Sequence, residues 1–253
     1  MALATGFMKN LYGVLGDTAI VHRGNKVFLR KRPGKSTKPP TELAQAKKAK
    51  FGLGGKIAGT ISSIHEIKQL WKGDTEKNHT GYTKIFQANH GQLNIEDLTG
   101  KIVLSEWGGL EVLNASIELD QSGVQIDCNS FESRDIDTRE AAKKIKAAGI
   151  IALINPIEGD PFPKYQLMTF ETETVTIEKG GKFSARVQYK GVDLVKFQAY
   201  GLKKAFGVFV TMDETYNPID ISETIESKQF RGFITVDGKR SLTDISKTIE
   251  SKP

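Results

Sequence analysis

Cysteine and long apolar stretches are scarce in this sequence. Cys128 is the one cysteine among 253 residues, so the chain cannot form an internal disulfide. No apolar run reaches the length of about 18 residues that a transmembrane helix needs, and the first residues lack the pattern of a secretory signal. We therefore expect a protein that folds by packing alone, without membrane insertion, in the cytoplasm or in an assembled particle.

Patterns for metal, phosphate or catalytic sites are also missing. Residues 52–57 are glycine-rich but lack the spacing of a phosphate loop, so close helix packing is the better interpretation. Cys128 has no adjacent base and is expected to be a buried apolar residue, and Asp135 and Asp137 are expected to cap a helix. The histidines, none at the spacing of zinc ligands on one helix face, are His22, His65, His79 and His90. We therefore expect no cofactor, no metal and no enzymatic activity.

Negative charge is scarce in the first quarter of the chain. Residues 1–60 contain 12 lysines and arginines and only two acids, Asp17 and Glu42, so they carry a charge of +10, and the remaining residues carry −4. A basic segment on a mildly acidic body can bind nucleic acid, a membrane surface or the body of a neighbouring copy. We assign partner binding to ten cations of this segment: Arg23, Lys26, Arg30, Lys31, Arg32, Lys35, Lys38, Lys47, Lys48 and Lys50.

The first 80 residues are interpreted as a basic arm made of a hairpin, a linker and a helix. Two short apolar runs, residues 18–22 and 26–30, flank a turn and predict the hairpin. Residues 30–40 are a basic linker that contains proline and favours extended backbone. Thr41 is a predicted N-cap for a helix over residues 42–71. The apolar residues spaced along one face of that helix are Leu53, Ile57, Ile61, Ile64, Ile67 and Trp71.

The pattern changes to short apolar runs separated by turn residues from Gly81 onward. About seven such strands over residues 81–212 predict an immunoglobulin-like or fibronectin-like β-sandwich. One helical insert is expected at residues 138–148. The predicted strands cover residues 102–104, 115–119, 123–128, 150–154, 174–177, 183–189, 195–200 and 207–210. The fold is therefore expected to be mainly β.

A nine-residue sequence occurs twice near the C-terminus. Residues 220–228 recur at residues 244–252 with eight of nine positions identical. Two copies are too few for a solenoid. We interpret residues 213–253 as a short β-rich extension that caps the sandwich or adds to a partner's sheet.

The N-terminal region resembles a known family. Residues 32–33 (Arg-Pro), 38–45 (Lys-Pro-Pro-Thr-Glu-Leu-Ala-Gln) and 50–51 (Lys-Phe), which follow the glycine-containing basic hairpin, resemble the signature of an uncharacterised family of small proteins. That family is found mainly in Bacteroidetes and is known as a domain of unknown function. The resemblance covers about residues 11–212 and implies a similar architecture without implying an activity.

These features favour a non-enzymatic structural or assembly protein whose basic arm contacts another subunit or partner. A component of a virion or phage-like particle is our hypothesis by analogy with other proteins that assemble through arms. The alternative is a nucleic-acid-binding accessory protein, in which the cations meet phosphates and Phe28 and Phe51 stack on bases. Self-association and weak binding to nucleic acid are both expected of such an arm.

Overall fold

A computed structural model describes most of the chain. The described residues are 2–4, 13–23, 26–31, 39–71, 80–92, 100–106, 108–156, 162–177 and 181–232. The chain forms two compact units, Met1–Gln45 and Ala46–Pro253. The domain boundaries expected from the sequence, at residues 80 and 212, stay a prediction.

The first unit contains a four-stranded antiparallel sheet in the order β1-β4-β3-β2. The predicted hairpin is present as β3 and β4, in which Arg23 pairs with Lys26. Its turn, residues 24–25, lies outside the described residues. Val27 of β4 is buried. The strands are β1 (Ala2–Ala4), β2 (Gly13–Leu15), β3 (Thr18–Arg23) and β4 (Lys26–Lys31).

The predicted long helix is present as two consecutive helices, α1 (Glu42–Ser63) and α2 (His65–Leu70). Ile64 separates them because its backbone is extended, with φ −82° and ψ 111°. Thr41 caps α1 as expected, since its Oγ1 accepts a hydrogen bond from the amide of Ala44 at 3.3 Å. All six residues of the predicted apolar face are buried, which confirms the helical period of this segment.

A third helix, α3 (Gly81–Asn89), stands where strand-like sequence was expected to begin, so that expectation is wrong for this segment. Thr80 caps it by accepting a hydrogen bond from the amide of Thr83. The helix packs closely on α1: a Cβ at Gly54 would stand 3.1 Å from the Phe86 ring. The interpretation of the glycine-rich segment as a close-packing surface is therefore correct at Gly54.

The remaining elements belong to the second unit. In chain order they are β5 (Leu110–Leu113), β6 (Ser116–Leu119), β7 (Gly123–Cys128), β8 (Ser130–Ser133), α4 (Ile136–Ala141), β9 (Lys144–Pro156), β10 (Tyr165–Glu171), β11 (Val175–Thr176), β12 (Phe183–Gln188), α5 (Gly191–Gln198), β13 (Tyr200–Met212), β14 (Pro218–Ile221), β15 (Ile225–Glu226) and β16 (Phe230–Arg231).

A seven-stranded antiparallel sheet forms the centre of this unit. Its two long strands, β9 and β13, each have 13 residues and pair with each other. β10 and β11 border β9, and β14, β15 and β16 border β13. A three-stranded sheet in the order β12-β7-β6 and a pair formed by β5 and β8 complete the β structure. The prediction of a mainly β protein with antiparallel sheets is confirmed.

The seven-stranded sheet is buried on both faces. Ile150 and Phe206 on one face share a hydrophobic core with Ile61 of α1. Phe209 on the other face shares a second core with Ile126 of β7, so the two sheets face each other there. Strands covered on both faces read as nearly continuous apolar runs, and this explains the composition of β9 and β13.

Two sequence predictions are wrong in this region. The helix expected at residues 138–148 ends at Ala141, and the chain enters β9 at Lys144. Its alanines favour a helix locally, but Ala147 and Ala148 are buried in the two cores on opposite faces of the sheet. The strand expected at residues 195–200 is mostly helix α5. The alternation of its apolar residues was misleading, because Phe197 is buried while Val195 is half exposed.

Candidate functional site

The strand β4 carries three of the cations assigned to partner binding. Lys26, Arg30 and Lys31 are all exposed, and none has a carboxylate within ion-pair distance among the described residues. Arg23 ends β3 and pairs with Lys26 through the backbone. The other predicted cations of this region, Arg32, Lys35 and Lys38, lie outside the described residues.

The first part of α1 carries the other three cations, Lys47, Lys48 and Lys50. Every residue from 42 to 52 is exposed. Leu43 and Phe51 within it are 66% and 62% exposed. None of the three lysines has a carboxylate partner in the part of the chain that the structure describes. Cations and large apolar side chains are thus presented together on one helical segment.

Two charged residues that the sequence reasoning missed are buried in the second unit. Lys146 of β9 is 2.6 Å from a carboxylate oxygen of Glu66 and 2.7 Å from one of Glu171. Burial lowers the pKa of Lys146, but hydrogen bonds to the two glutamates more than offset this and raise it overall. Burial likewise raises the pKa of Glu66, and its hydrogen bond with Lys146 and its other contacts lower it overall. Lys146 and Glu66 are therefore both charged at neutral pH, as a structural ion cluster requires.

Lys203 of β13 is the second of these residues and has no carboxylate partner among the described residues. Its ammonium group donates hydrogen bonds to the carbonyls of Tyr200 at 2.7 Å and Gly232 at 2.8 Å. It also lies about 5 Å from the ring centres of Phe197 and Phe230, at 5.0 and 5.2 Å. Burial lowers its pKa to about 8. A lysine inside a long apolar strand sequence was the signal that could have identified both buried lysines.

The residues that the sequence analysis considered for catalysis or metal binding are buried, cap a helix or pack against neighbouring side chains where the structure describes their side chains. Cys128 is buried as expected, and burial raises the pKa of its thiol, so the reactive thiolate is disfavoured. Asp135 caps α4 by accepting a hydrogen bond from the amide of Asp137. His65 lies within 2.7 Å of the Gln69 amide nitrogen, and His90 lies beside Phe86 with ring centres 5.1 Å apart. His22 is in β3, and His79 lies outside the described residues.

A groove of about 970 Å³ lies between β8, α4 and the start of β9. Four glutamates and three cations line it beside apolar side chains, so its charge is mixed. Leu113 at its border is 57% exposed. In the described residues no group of three or more His, Cys, Asp or Glu side chains could hold a metal ion. No described helix is long and apolar enough to span a membrane.

Comparisons with known proteins give little for this chain. No family model matches it, and no curated protein matches it. Among solved structures it is similar to the Pseudomonas fluorescens alkylpurine DNA glycosylase AlkC bound to DNA containing an abasic site analog, with 13% identity and a TM-score of 0.30. The match covers 74% of this chain and 47% of that one, so this chain spans about half of that protein's length. A similarity this low carries no argument about fold or activity.

Proposed function

We propose that this protein is a non-enzymatic structural or assembly protein that contacts another subunit or protein through its basic arm. The observation that supports this is the exposed first part of α1, residues 42–52, with its three lysines beside Leu43 and Phe51. Short helical segments are marginal in water and are normally stabilised by packing. Exposed large apolar side chains grouped with cations are typical of surfaces that a partner covers.

The same cations support a second candidate, a nucleic-acid-binding accessory protein. Six exposed cations on β4 and α1 are available to phosphates. Phe51 is less suited to stacking on bases, because its ring already contacts Phe86 at a centre distance of 4.9 Å. We therefore rank protein contact first. The setting in a virion or phage-like particle, and the resemblance to the Bacteroidetes family, stay predictions.

We also propose that residues 81–212, within the second unit, form an immunoglobulin-like or fibronectin-like β-sandwich. Its antiparallel pairing and the position of the three-stranded sheet across a shared core from the seven-stranded sheet support this assignment. The 13-residue strands β9 and β13 and the helical layer on the opposite face are additions that this class would have to accommodate.

Charge neutralisation tests the assembly proposal. The six exposed cations Lys26, Arg30, Lys31, Lys47, Lys48 and Lys50 are replaced by glutamine, and the mass in solution is measured by light scattering after size-exclusion chromatography. We expect the variant to self-associate less or to lose its partner, because opposite charges at an interface guide association. Its melting temperature should barely change, since these side chains are exposed. A matched control replaces six exposed cations elsewhere: Lys101, Arg134, Lys164, Lys182, Lys190 and Lys228.

Two results would contradict the proposal. One is a neutralised variant that assembles normally but melts much earlier, which would make the arm a packing element. The other is tight binding to nucleic acid at physiological salt that the six substitutions abolish. Contacts from four to six cations would give log affinity a slope of about −4 to −5 against log salt, from the rule of about −0.9 per phosphate. Anisotropy over a salt series measures that slope.

A further inference from the structure

Three hydroxyl side chains hold the borders of the seven-stranded sheet in the same way. The amide of Ser222 donates to the carbonyl of Phe209 at 2.9 Å, and the amide of Phe209 donates back to Ser222 Oγ at 2.9 Å. The hydroxyl then donates to the carbonyl of the following residue, Glu223. The Ser222 hydroxyl thus accepts the hydrogen bond that a backbone carbonyl would accept in a regular antiparallel β-ladder. We call this arrangement a hydroxyl clasp.

The arrangement recurs at two other positions. Ser227 forms it with Ala205, with both reciprocal bonds at 2.9 Å. Thr172, which follows β10, forms it with Ala147, also with both bonds at 2.9 Å. Ser227 and Thr172 likewise donate to the carbonyls of the residues that follow them. A clasp is therefore a repeated means by which this protein attaches a strand to a sheet edge.

Two of the three clasps belong to the first copy of the duplicated sequence, residues 220–228. Between them, Thr224 Oγ1 accepts a hydrogen bond from the amide of Leu104 at 2.9 Å. Glu226 forms an ion pair with Lys204 at 2.8 Å. The first copy also contributes a buried apolar side chain, that of Ile221. The nine residues therefore act together as a segment that binds the edge of β13.

The second copy, residues 244–252, has the side chains that make these contacts. It differs from the first copy at one position, where Lys247 replaces Glu223. The Glu223 side chain is exposed and makes no hydrogen bond or ion pair among the described residues, so the difference falls where the side chain is not used. The second copy thus has the sequence of a strand that clasps a sheet edge.

The edge of β13 is already occupied by the first copy in every chain. β16 continues the pairing, with Phe230 opposite Lys203, and the Lys203 ammonium depends on the carbonyl of Gly232. Displacing the first copy would disturb these contacts and remove one of the two carbonyl acceptors of the buried Lys203 ammonium, which is unfavourable. The second copy therefore needs another edge.

The other border of the sheet, β10, has such an edge. Thr172 bonds to Ala147 across the continuation of the β10–β9 register, and alternate residues of an antiparallel strand bond to the same neighbour. The odd-numbered residues of β10 therefore direct their N–H and C=O groups away from β9. The carbonyl of Thr169 confirms this direction, because it accepts a hydrogen bond from the Tyr189 hydroxyl. Leu167 has no described backbone partner on that side.

Space for an added strand is present beside this edge. A cavity of about 460 Å³ lies between residues 166–169 of β10, α1 and α5. Lys196 borders it, and Lys56 lies over the ring of Tyr165 at 4.5 Å. Lys196 is already ion-paired with Asp193 at 3.0 Å, and Lys56 has no carboxylate partner among the described residues, so Lys56 is the cation available to the acidic side chains of the duplicated sequence. The edge of β10 beside this groove is suited to strand addition at Leu167, and an added strand would take the place of the Tyr189 hydroxyl at the Thr169 carbonyl.

We propose that the outer edge of β10 binds residues 244–252 of a second copy of this chain as an added antiparallel strand. The proposal rests on the assembly function above and names a second contact surface and its occupant. The link runs from the C-terminal segment of one copy to β10 of the next.

The direction that the added strand must have at the β10 edge favours residues 244–252 of a neighbouring copy over those of the same chain. Arg231 of β16 lies across β13 and β9 from Tyr165, the first residue of β10. An antiparallel strand must begin opposite the other end of β10. The linker of residues 233–243 spans about 40 Å at most. It would have to cross four strand spacings, roughly 19 Å, and the roughly 23 Å length of β10 while going around the sheet, so a neighbouring chain reaches the edge with less constraint.

The test uses the full chain with matched variants. The tail variant I245D/I249D should lose self-association in light scattering, whereas K247E, which makes the two copies identical, should retain it. At the edge, Leu167→Pro removes an N–H that points away from β9 and should also abolish association. Leu167→Ala loses the same side chain but keeps the N–H, and should associate normally. Circular dichroism melting verifies that each variant is folded.

A labelled peptide of residues 241–253 provides a direct measurement. It should bind the I245D/I249D protein saturably in fluorescence anisotropy, and a peptide with Ser246→Ala and Ser251→Ala should bind roughly tenfold more weakly, because two clasp bonds are lost. Equal binding to the Leu167→Pro protein, no binding at all, or a monomeric full chain would overturn the proposal. If the six-glutamine variant alone changes the mass, the assembly function stands and this surface fails.

Discussion

The clasp at Ser222 allows a quantitative prediction for Ser222→Ala. The side chain is buried, and removing its oxygen leaves the amide of Phe209 without its acceptor inside the protein. A buried donor left without a partner destabilises a protein by about 1–3 kcal/mol. The carbonyl of Glu223 also loses a donor. We therefore expect the free energy of unfolding to fall by about 1–3 kcal/mol.

The assay is urea unfolding and thermal melting followed by circular dichroism. For a unit of this size each kcal/mol corresponds to about 2–4 °C, so the expected decrease in melting temperature is roughly 2–12 °C. Ser227→Ala, in the equivalent clasp, should behave alike. Ser63→Ala is the matched control, because its hydroxyl is exposed and donates to a carbonyl in α1; its effect should stay within about 0.5 kcal/mol. If Ser222→Ala and Ser63→Ala have equal effects, the clasp does not stabilise the sheet.

Three further predictions concern other buried positions. Lys203 has a pKa of about 8 when folded and about 10.4 when unfolded, so the unfolded state binds more protons between these pH values. The free energy of unfolding of the wild type relative to Lys203→Met should therefore rise by about 2 kcal/mol from pH 7 to pH 9.5. If urea unfolding gives the same difference at both pH values, the pKa of Lys203 is not lowered. Gly149→Ala should prevent folding or destabilise the protein strongly, because the added Cβ would collide with the carbonyl oxygen of Phe206. Gly59→Ala, in open space on α1, should instead stabilise the protein by about 0.5–1 kcal/mol. Equal melting temperatures of the two variants would be inconsistent with this packing. Trp71→Phe removes an indole N–H that donates to the buried carbonyl of Leu104 at 2.7 Å. The free energy of unfolding should fall by about 1–3 kcal/mol. A decrease below about 0.5 kcal/mol in urea unfolding would show that this hydrogen bond is dispensable.

The sequence predicted elements whose residues satisfy one local pattern. The helical spacing from Leu53 to Trp71 identified α1 and α2, and the two apolar runs around residues 23–25 identified the hairpin of β3 and β4. Thr41 was recognisable as a cap because capping depends on a residue and its next three neighbours. In each case the determining interactions lie within one or two helical turns or one hairpin.

Prediction failed where distant contacts override local preference. Residues 144–149 have alanines and lysines that suit a helix, yet they belong to β9, which pairs with β10 and β11 on one side and with β13 on the other. The alternation at residues 195–200 suits a strand, yet residues up to Gln198 form α5, in which Phe197 is buried and Val195 is half exposed. No local pattern reveals either outcome.

The candidate sites divide in the same way. The sequence by itself determined the concentration of cations in residues 1–60 and the duplication at residues 220–228 and 244–252, because composition and repetition need no coordinates. Only the tertiary structure decided that the first part of α1 is exposed, that the first copy clasps β13, and that β10 has an edge open to an added strand. These features depend on which strands become neighbours and which backbone groups remain unpaired. That is a property of contacts between residues far apart in the chain, and the order of residues along one segment does not contain it.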